Sequence, residues 1–252
     1  MVVINFKQRL KQFETLIGIV IKLPCSETAE ALSKVEFDWF WIDMEHGALS
    51  LETVQLIMQA TGGRCANLVR VPSNDSVWIK RVLDTGCDGI ILPHVKTPLD
   101  VKNALEACLY PPLGSRSIGT GRAQNYGMNF QEYLATANEN IVIILQIEDI
   151  DAVKNIESII DVPGFDAILI GPFDLSGSMG LIGQVNHPDV QKAIDSVKEA
   201  CLNKNIPVGI FTSDSKGAIS AKQAGYSLLG VGVDSIYLWK SAKKTVEEIN
   251  SI

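Results

Sequence analysis

The stretch Ile141-Val-Ile-Ile-Leu-Gln146-Ile-Glu148 and, after a helical spacer, Asp166-Ala-Ile-Leu-Ile-Gly171-Pro-Phe173-Asp174-Leu-Ser176 decides how this chain is read. Its two apolar runs, 141–147 and 166–170, have the length and β-branched content of strands buried on both faces, as in parallel sheets. Each run delivers a carboxylate at or just past its carboxyl end, Glu148 and Asp174. Neighbouring strands lie about 4.8 Å apart, so carboxylates leaving adjacent strand tips can converge on one ion. With the amide of Gln146 and water they suit a hard divalent cation, Mg²⁺ or Mn²⁺ first, with Co²⁺ or Zn²⁺ as further options. The same two acids could equally cap loops or helices, and spacing alone leaves both readings open.

Outward from this stretch, strand-like and helix-like segments alternate along the chain. Short apolar runs predict strands at 16–22, 37–43, 66–71, 88–92, 141–147, 166–170, 206–211 and 226–231. Helical spacing fills the gaps. Phe6, Leu10 and Phe13 share a face over 5–14 behind an Asn5 cap, and 27–35 follow Ser26. Asp75 caps a helix carrying Ile79, Val82 and Leu83, while Thr97-Pro98 and His187-Pro188 open two more with proline in the first turn. Eight strand–helix pairs with no break in composition predict one (β/α)₈ barrel domain over 1–252. An open doubly wound sheet is the alternative, but no strand–GxGxxG–helix opens the chain.

Composition narrows the function classes. The 252 residues are 46% hydrophobic and 20% charged, as in ordinary globular proteins. A net charge of −7 argues against a nucleic-acid partner. No apolar run reaches the roughly 20 residues that span a bilayer, and the first residues lack a signal-peptide layout. Five scattered cysteines without a Cys-x-x-Cys disfavour a zinc site or disulfide framework and fit reduced thiols in a cytoplasm.

In a barrel the site lies at the carboxyl ends of the strands. Those ends carry Lys22, Asp43-Met-Glu45-His46, Arg70, Pro93-His94, Gln146, Glu148, Asp174, Thr212 and Asp234. His46 is a candidate general base, weighed against a loop histidine bonded to a neighbour. Arg70 keeps its proton and can hold an oxyanion, weighed against a plain ion pair at the barrel mouth. Glu45 reads as structural, because consecutive residues do not all face one cavity. His94 and His187 carry weaker signals, and His187 reads as a helix start. Lys22 and Lys96 could form a Schiff base, but neither has a telling context. The connection 109–130 is too long for an idle loop in a compact domain.

Several segments together carry a resemblance: FDWFWIDMEHG (37–47), VRVPSND (69–75), LDTG (83–86), YPPLGSRSIG (110–119), QIE (146–148), GPFDLSGSMG (171–180), HPDV (187–190) and VGVD (231–234). Through them, and along nearly its whole length, the chain resembles the HpcH/HpaI aldolases, class II pyruvate aldolases that depend on a metal. The resemblance implies a (β/α)₈ barrel in which Glu148 and Asp174 bind the metal. Pyruvate chelates it near Gln146 and the backbone N–H groups of Phe173 and Asp174. Arg70 stabilises the enolate oxygen, and His46 works with Asp84 in proton transfer. It further implies a homo-hexamer, a trimer of dimers with exchanged C-terminal helices, for which Ile236, Tyr237, Leu238 and Trp239 are apolar enough.

Asp84 precedes strand four and so lies at the amino-end face of its own barrel, opposite His46. The two can meet only across a subunit boundary, and the loop at 110–122 can reach over in the same way. Phe173, Met44, Lys22 and His94 depart from the best-known pattern, which leaves the aldehyde open. The expected reaction is reversible aldol cleavage of a 4-hydroxy-2-oxo acid to pyruvate and an aldehyde. The alternatives are a carbon–carbon synthase or acyl lyase acting on a citrate-like or CoA-linked acid, and a catalytically silent oligomer that binds 2-oxo acids.

Overall fold

In the computed structural model, which describes residues 6–251, eight parallel strands close into a barrel in sequence order. They are β1 (Leu16–Ile21), β2 (Trp39–Asp43), β3 (Ala66–Arg70), β4 (Gly89–Leu92), β5 (Val142–Ile147), β6 (Ala167–Ile170), β7 (Val208–Thr212) and β8 (Leu228–Val233). β8 pairs with β1 and closes the sheet. Among the described residues twelve α-helices lie before, between and after the strands: α1 (Phe6–Lys11), α2 (Ser26–Leu32), α3 (Leu51–Thr61), α4 (Ser76–Asp84), α5 (Pro98–Cys108), α6 (Phe130–Asn140), α7 (Ile150–Lys154), α8 (Ile156–Ile160), α9 (Pro172–Ser178), α10 (Pro188–Asn203), α11 (Ser215–Gln223) and α12 (Asp234–Asn250). Every strand lies within two residues of its expected bounds at either end.

The strand pleat sorts the apolar residues into two cores. Phe40, Ile42, Ile143, Leu145, Ile168 and Ile170 face the helices. Their neighbours Trp39, Trp41, Val142, Ile144, Ala167 and Leu169 fill the barrel interior. Two stacked tryptophans at the centre, with ring centroids 6.1 Å apart, occupy space that smaller neighbours must give up. A Cβ on Gly18 would stand 2.3 Å from the Trp39 ring, so only glycine fits there.

Helix caps follow the sequence signals. The Asp75 side chain accepts from Val77 N–H, Thr97 and Asp100 form a capping box, and His187 Nδ1 accepts from Asp189 N–H. Two boundaries differ from expectation. Helix α1 ends at Lys11, and Phe13 leaves its face at φ 57°, half exposed, because the chain turns there to enter β1. Helix α2 takes in Ser26, has Cys25 as its N-cap and stops at Leu32. The expected Asn5 cap lies outside the described residues. Among the described residues no helix is long and apolar enough to cross a membrane. All five cysteines are free, and burial pushes Cys65, Cys87, Cys108 and Cys201 up to about 12.

The long connection folds back on its own chain at the amino end of the barrel. Arg116 Nη2 donates to Asp84 Oδ1 at 2.8 Å, and Arg122 Nη1 donates to the Thr85 carbonyl at 2.9 Å. The Arg116 guanidinium also lies 4.5 Å from the Tyr110 ring centroid. Asp84 thus ends α4 at the face opposite the strand tips that carry His46 and Arg70, as its place before β4 predicts.

Candidate active site

The period of two that fills the barrel also aims its polar groups. Val20, Trp41, Leu68 and Ile144 point inward. Two residues further along each strand stand Lys22, Asp43, Arg70 and Gln146, which form the next layer at the carboxyl end. Above them is a cavity of about 280 Å³ whose lining includes Lys22, Trp41, His46, Arg70, Gln146 and Asp174. Phe173 and Phe211 form an aromatic wall, with centroids 6.2 Å apart, and Trp41 meets Phe211 edge-on at 6.3 Å.

Arg70 is the most constrained group in this layer. Its Nε and Nη2 donate to Asp43 Oδ1 and Oδ2 at 2.9 and 2.7 Å. Its Nη1 lies 2.9 Å from Glu45 Oε2 and 3.5 Å from Gln146 Oε1. The guanidinium carbon stands 4.9 Å over the Trp41 ring. Asp43 also accepts the N–H groups of Glu45 and His46, and Lys22 Nζ lies 3.4 Å from its Oδ2. Burial works to raise the Asp43 carboxyl, but Arg70, the His46 N–H and Lys22 outweigh it and hold it below the ordinary range.

Glu45 corrects the sequence reading. It faces the site together with His46, because the chain after β2 is a turn rather than a strand, and Asp43 caps that turn. Strand alternation does not apply in a turn, so consecutive residues can reach one cavity. Glu45 Oε1 lies 2.7 Å from His94 Nε2 and 4.0 Å from His46 Nε2. His94, just past β4, reaches Glu148: its N–H donates to Oε1 at 2.8 Å, and its Nδ1 lies 3.4 Å from the same oxygen. Gln146 Nε2 donates to Glu148 Oε2. A side chain at Gly171 would come within 3.1 Å of Glu148 Oε2, so glycine there leaves room for the carboxylate. Burial raises the Glu148 carboxyl to about 7, against the pull of the His94 N–H and with help from the charges of Glu45 and Asp174.

Asp174 sits exposed in the first turn of α9 and lines the cavity. Its charge is felt at Glu148, but the tight cluster of donor atoms groups Glu148 with Glu45 and His94, all within 4.8 Å of one another. Glu45 Oε2 is enclosed with no hydrogen bond aligned on it, its contact with Arg70 being ionic. Asp43 pairs with Lys22 and Arg70, Glu45 pairs with Arg70, Asp174 lines the same cavity as these two cations, and Glu148 is joined to the group through Gln146 and His94. This donor chemistry fits a divalent cation.

The remaining strand-end residues are structural. Asp234 accepts the N–H groups of Lys22 and Leu23 and sews α12 to β1. Lys96 pairs with Asp149 at 2.7 Å on the surface, away from the cavity. His187 stays at its helix cap. Sequence reasoning set Glu45 and His94 aside and gave Asp43 no role. For Asp43 a usable signal was present: extending the inward period one step past Trp41 lands on it.

A family model described as HpcH/HpaI aldolase/citrate lyase matches residues 20–240. The chain is 32% identical to hydroxypyruvate/pyruvate aldolase of Paraburkholderia phytofirmans, with 97% of each chain covered. It is 36% identical to the 4-hydroxy-2-oxo-heptane-1,7-dioate aldolase of Salmonella typhimurium, over 94% of this chain and 91% of that one. The solved structure of an HpcH/HpaI aldolase/citrate lyase family protein from Burkholderia cenocepacia superposes with a TM-score of 0.94 at 34% identity, covering 97% of this chain and 98% of that one.

Proposed function

The chain belongs to the HpcH/HpaI aldolase/citrate lyase family, and from that premise we propose that it cleaves and forms 4-hydroxy-2-oxo acids reversibly, with pyruvate and an aldehyde as the other side of the equilibrium. It is a carbon–carbon lyase that works through the enolate of pyruvate. The observation that carries this reading is Arg70, an always-charged donor fixed from three sides and linked to the Glu148 carboxylate through Gln146.

Breaking the carbon–carbon bond leaves an electron pair that moves onto the former keto oxygen. Arg70 meets that charge without reorganising, because Asp43, Glu45 and Trp41 already hold it. Gln146 and the first-turn N–H groups of Phe173 and Asp174 receive the carboxylate of the 2-oxo acid. A divalent cation, Mg²⁺ or Mn²⁺, held by Glu148 and Asp174 would polarise the keto group as a Lewis acid. His46, half exposed at the cavity, moves the proton of the 4-hydroxyl through water.

Asp84 completes that proton path from a neighbouring subunit, since in its own barrel it lies at the opposite end. The assembly we assign is a homo-hexamer, a trimer of dimers. The exposed Ile236, Leu238, Trp239 and Val246 on α12 support exchange of that helix between subunits. Each subunit is one (β/α)₈ domain over 1–252, and its free, mostly buried thiols fit the cytoplasm.

The test is exchange of pyruvate methyl protons in D₂O with Mg²⁺ or Mn²⁺, followed by product analysis with an aldehyde panel. Exchange together with a 4-hydroxy-2-oxo acid product is expected. Binding of pyruvate without exchange would make the protein a silent 2-oxo-acid binder. Exchange with citrate-like products alone would make it a synthase.

A further inference from the structure

The chemistry above leaves His94 without a part, yet the fold holds it in place. It sits at φ 57°, in the left-handed region that residues other than glycine enter uncommonly. That turn points its N–H at Glu148 and brings its imidazole between the carboxylates of Glu148 and Glu45. The imidazole is 57% exposed, so it faces the open mouth of the barrel while both acids lie beneath it with side chains at most 7% exposed. Asn74 braces the turn from below by donating to the Pro93 carbonyl.

A plain ion pair would need one carboxylate partner for His94. Here one atom from each of three side chains, two oxygens and a nitrogen, falls within 4.8 Å of the others. Glu45 keeps its Oε2 on Arg70 and its Oε1 on His94 Nε2, which orients the ring with Nδ1 on the Glu148 side. Oxygen-only sites suit Mg²⁺, which keeps its waters and gives them up reluctantly. An imidazole nitrogen changes the balance toward Mn²⁺, Co²⁺ and Zn²⁺.

We propose that His94 supplies an imidazole ligand to the cation held by Glu148 and Asp174, with Glu45 orienting its ring, so that a nitrogen joins the oxygen donors and selects transition-metal ions over Mg²⁺. This rests on the reading that Glu148 binds a divalent cation, and the test separates the two. Calorimetry would compare Co²⁺ and Mg²⁺ binding to the wild type, His94→Gly, His94→Asn and Glu148→Gln. Glycine suits the left-handed backbone, so His94→Gly removes the ring without straining the turn. Pulsed electron paramagnetic resonance of the Mn²⁺-loaded wild type would look directly for nitrogen coupling.

The expected result is a loss of about tenfold or more in Co²⁺ affinity in both His94 variants, a change of under about threefold for Mg²⁺, and nitrogen coupling that disappears with the ring. Equal losses for both ions, or no nitrogen coupling in the wild type, would overturn the proposal. If Glu148→Gln abolished binding while the His94 variants bound Co²⁺ normally, His94 alone would be misassigned. If Glu148→Gln changed nothing, the cation site itself would be misplaced and the proposal would fall with it.

Discussion

Asp43 and Arg70 stand directly opposite one another in the register of β2 and β3 and are joined by a two-point ion pair at 2.9 and 2.7 Å. Asp43 is fully buried and Arg70 nearly so. Neither strand could shift by one residue without separating them, since such a slip would turn one of the two side chains to the other face. The pair therefore ties the register of the sheet to the position of the donor that meets the enolate.

The first expectation concerns Arg70. Removing a preorganised oxyanion donor costs on the order of 10²–10³ in kcat. Arg70→Ala should slow pyruvate proton exchange and aldol cleavage together by about that factor, because both pass through the enolate. Arg70→Lys should recover only part, since it keeps the charge and loses the planar fork. Normal exchange with lost aldehyde use in Arg70→Ala would make Arg70 an anchor for the substrate tail instead.

Asp43 should matter for stability as well as rate. Breaking a buried ion pair by removing one partner costs about 3–5 kcal/mol. Asp43→Asn should fall at the low end, about 3 kcal/mol, because the amide keeps one acceptor. The wild-type carboxyl lies below its ordinary value in the folded state. Its contribution is therefore full above the unfolded pKa and lost as pH falls through the lower folded one. Urea melts of both proteins should differ at neutral pH and converge in acid, and a constant difference down to the acid transition would contradict this.

Cation binding should compete with protons at Glu148. Burial holds this carboxyl near 7 in the cation-free protein, and a ligand must be ionised. Affinity for Mn²⁺ should fall as pH drops below 7, approaching about tenfold per unit. Calorimetry in buffers of different ionisation enthalpy should find about one proton released near pH 6 and almost none near pH 8.5. Proton release independent of pH would leave Glu148 out of the ligand set.

Assembly offers a fourth check. His46→Ala and Asp84→Ala should each be inactive, and mixing them under subunit exchange should restore part of the activity. Some mixed interfaces would then hold both wild-type groups. Proven exchange without recovery would remove Asp84 from the proton path.

The barrel was legible in the sequence because its causes are local. Apolar runs 141–147 and 166–170, and six more like them, fix strands of the right length, while Asp75, Thr97 and His187 mark helix starts by short-range hydrogen bonds. Glu148 and Asp174 were also visible, because each lies at or just past the end of an apolar run. What the sequence alone could not decide is which polar groups converge. Pairing Asp43 with Arg70 needs the β2–β3 register, and bringing His94 between Glu45 and Glu148 needs three loops to be set by barrel closure. Those contacts join residues 27 to 54 positions apart, so no local spacing encodes them. Only the closed sheet, which fixes every strand tip relative to the others, turns scattered acids and a histidine into one site.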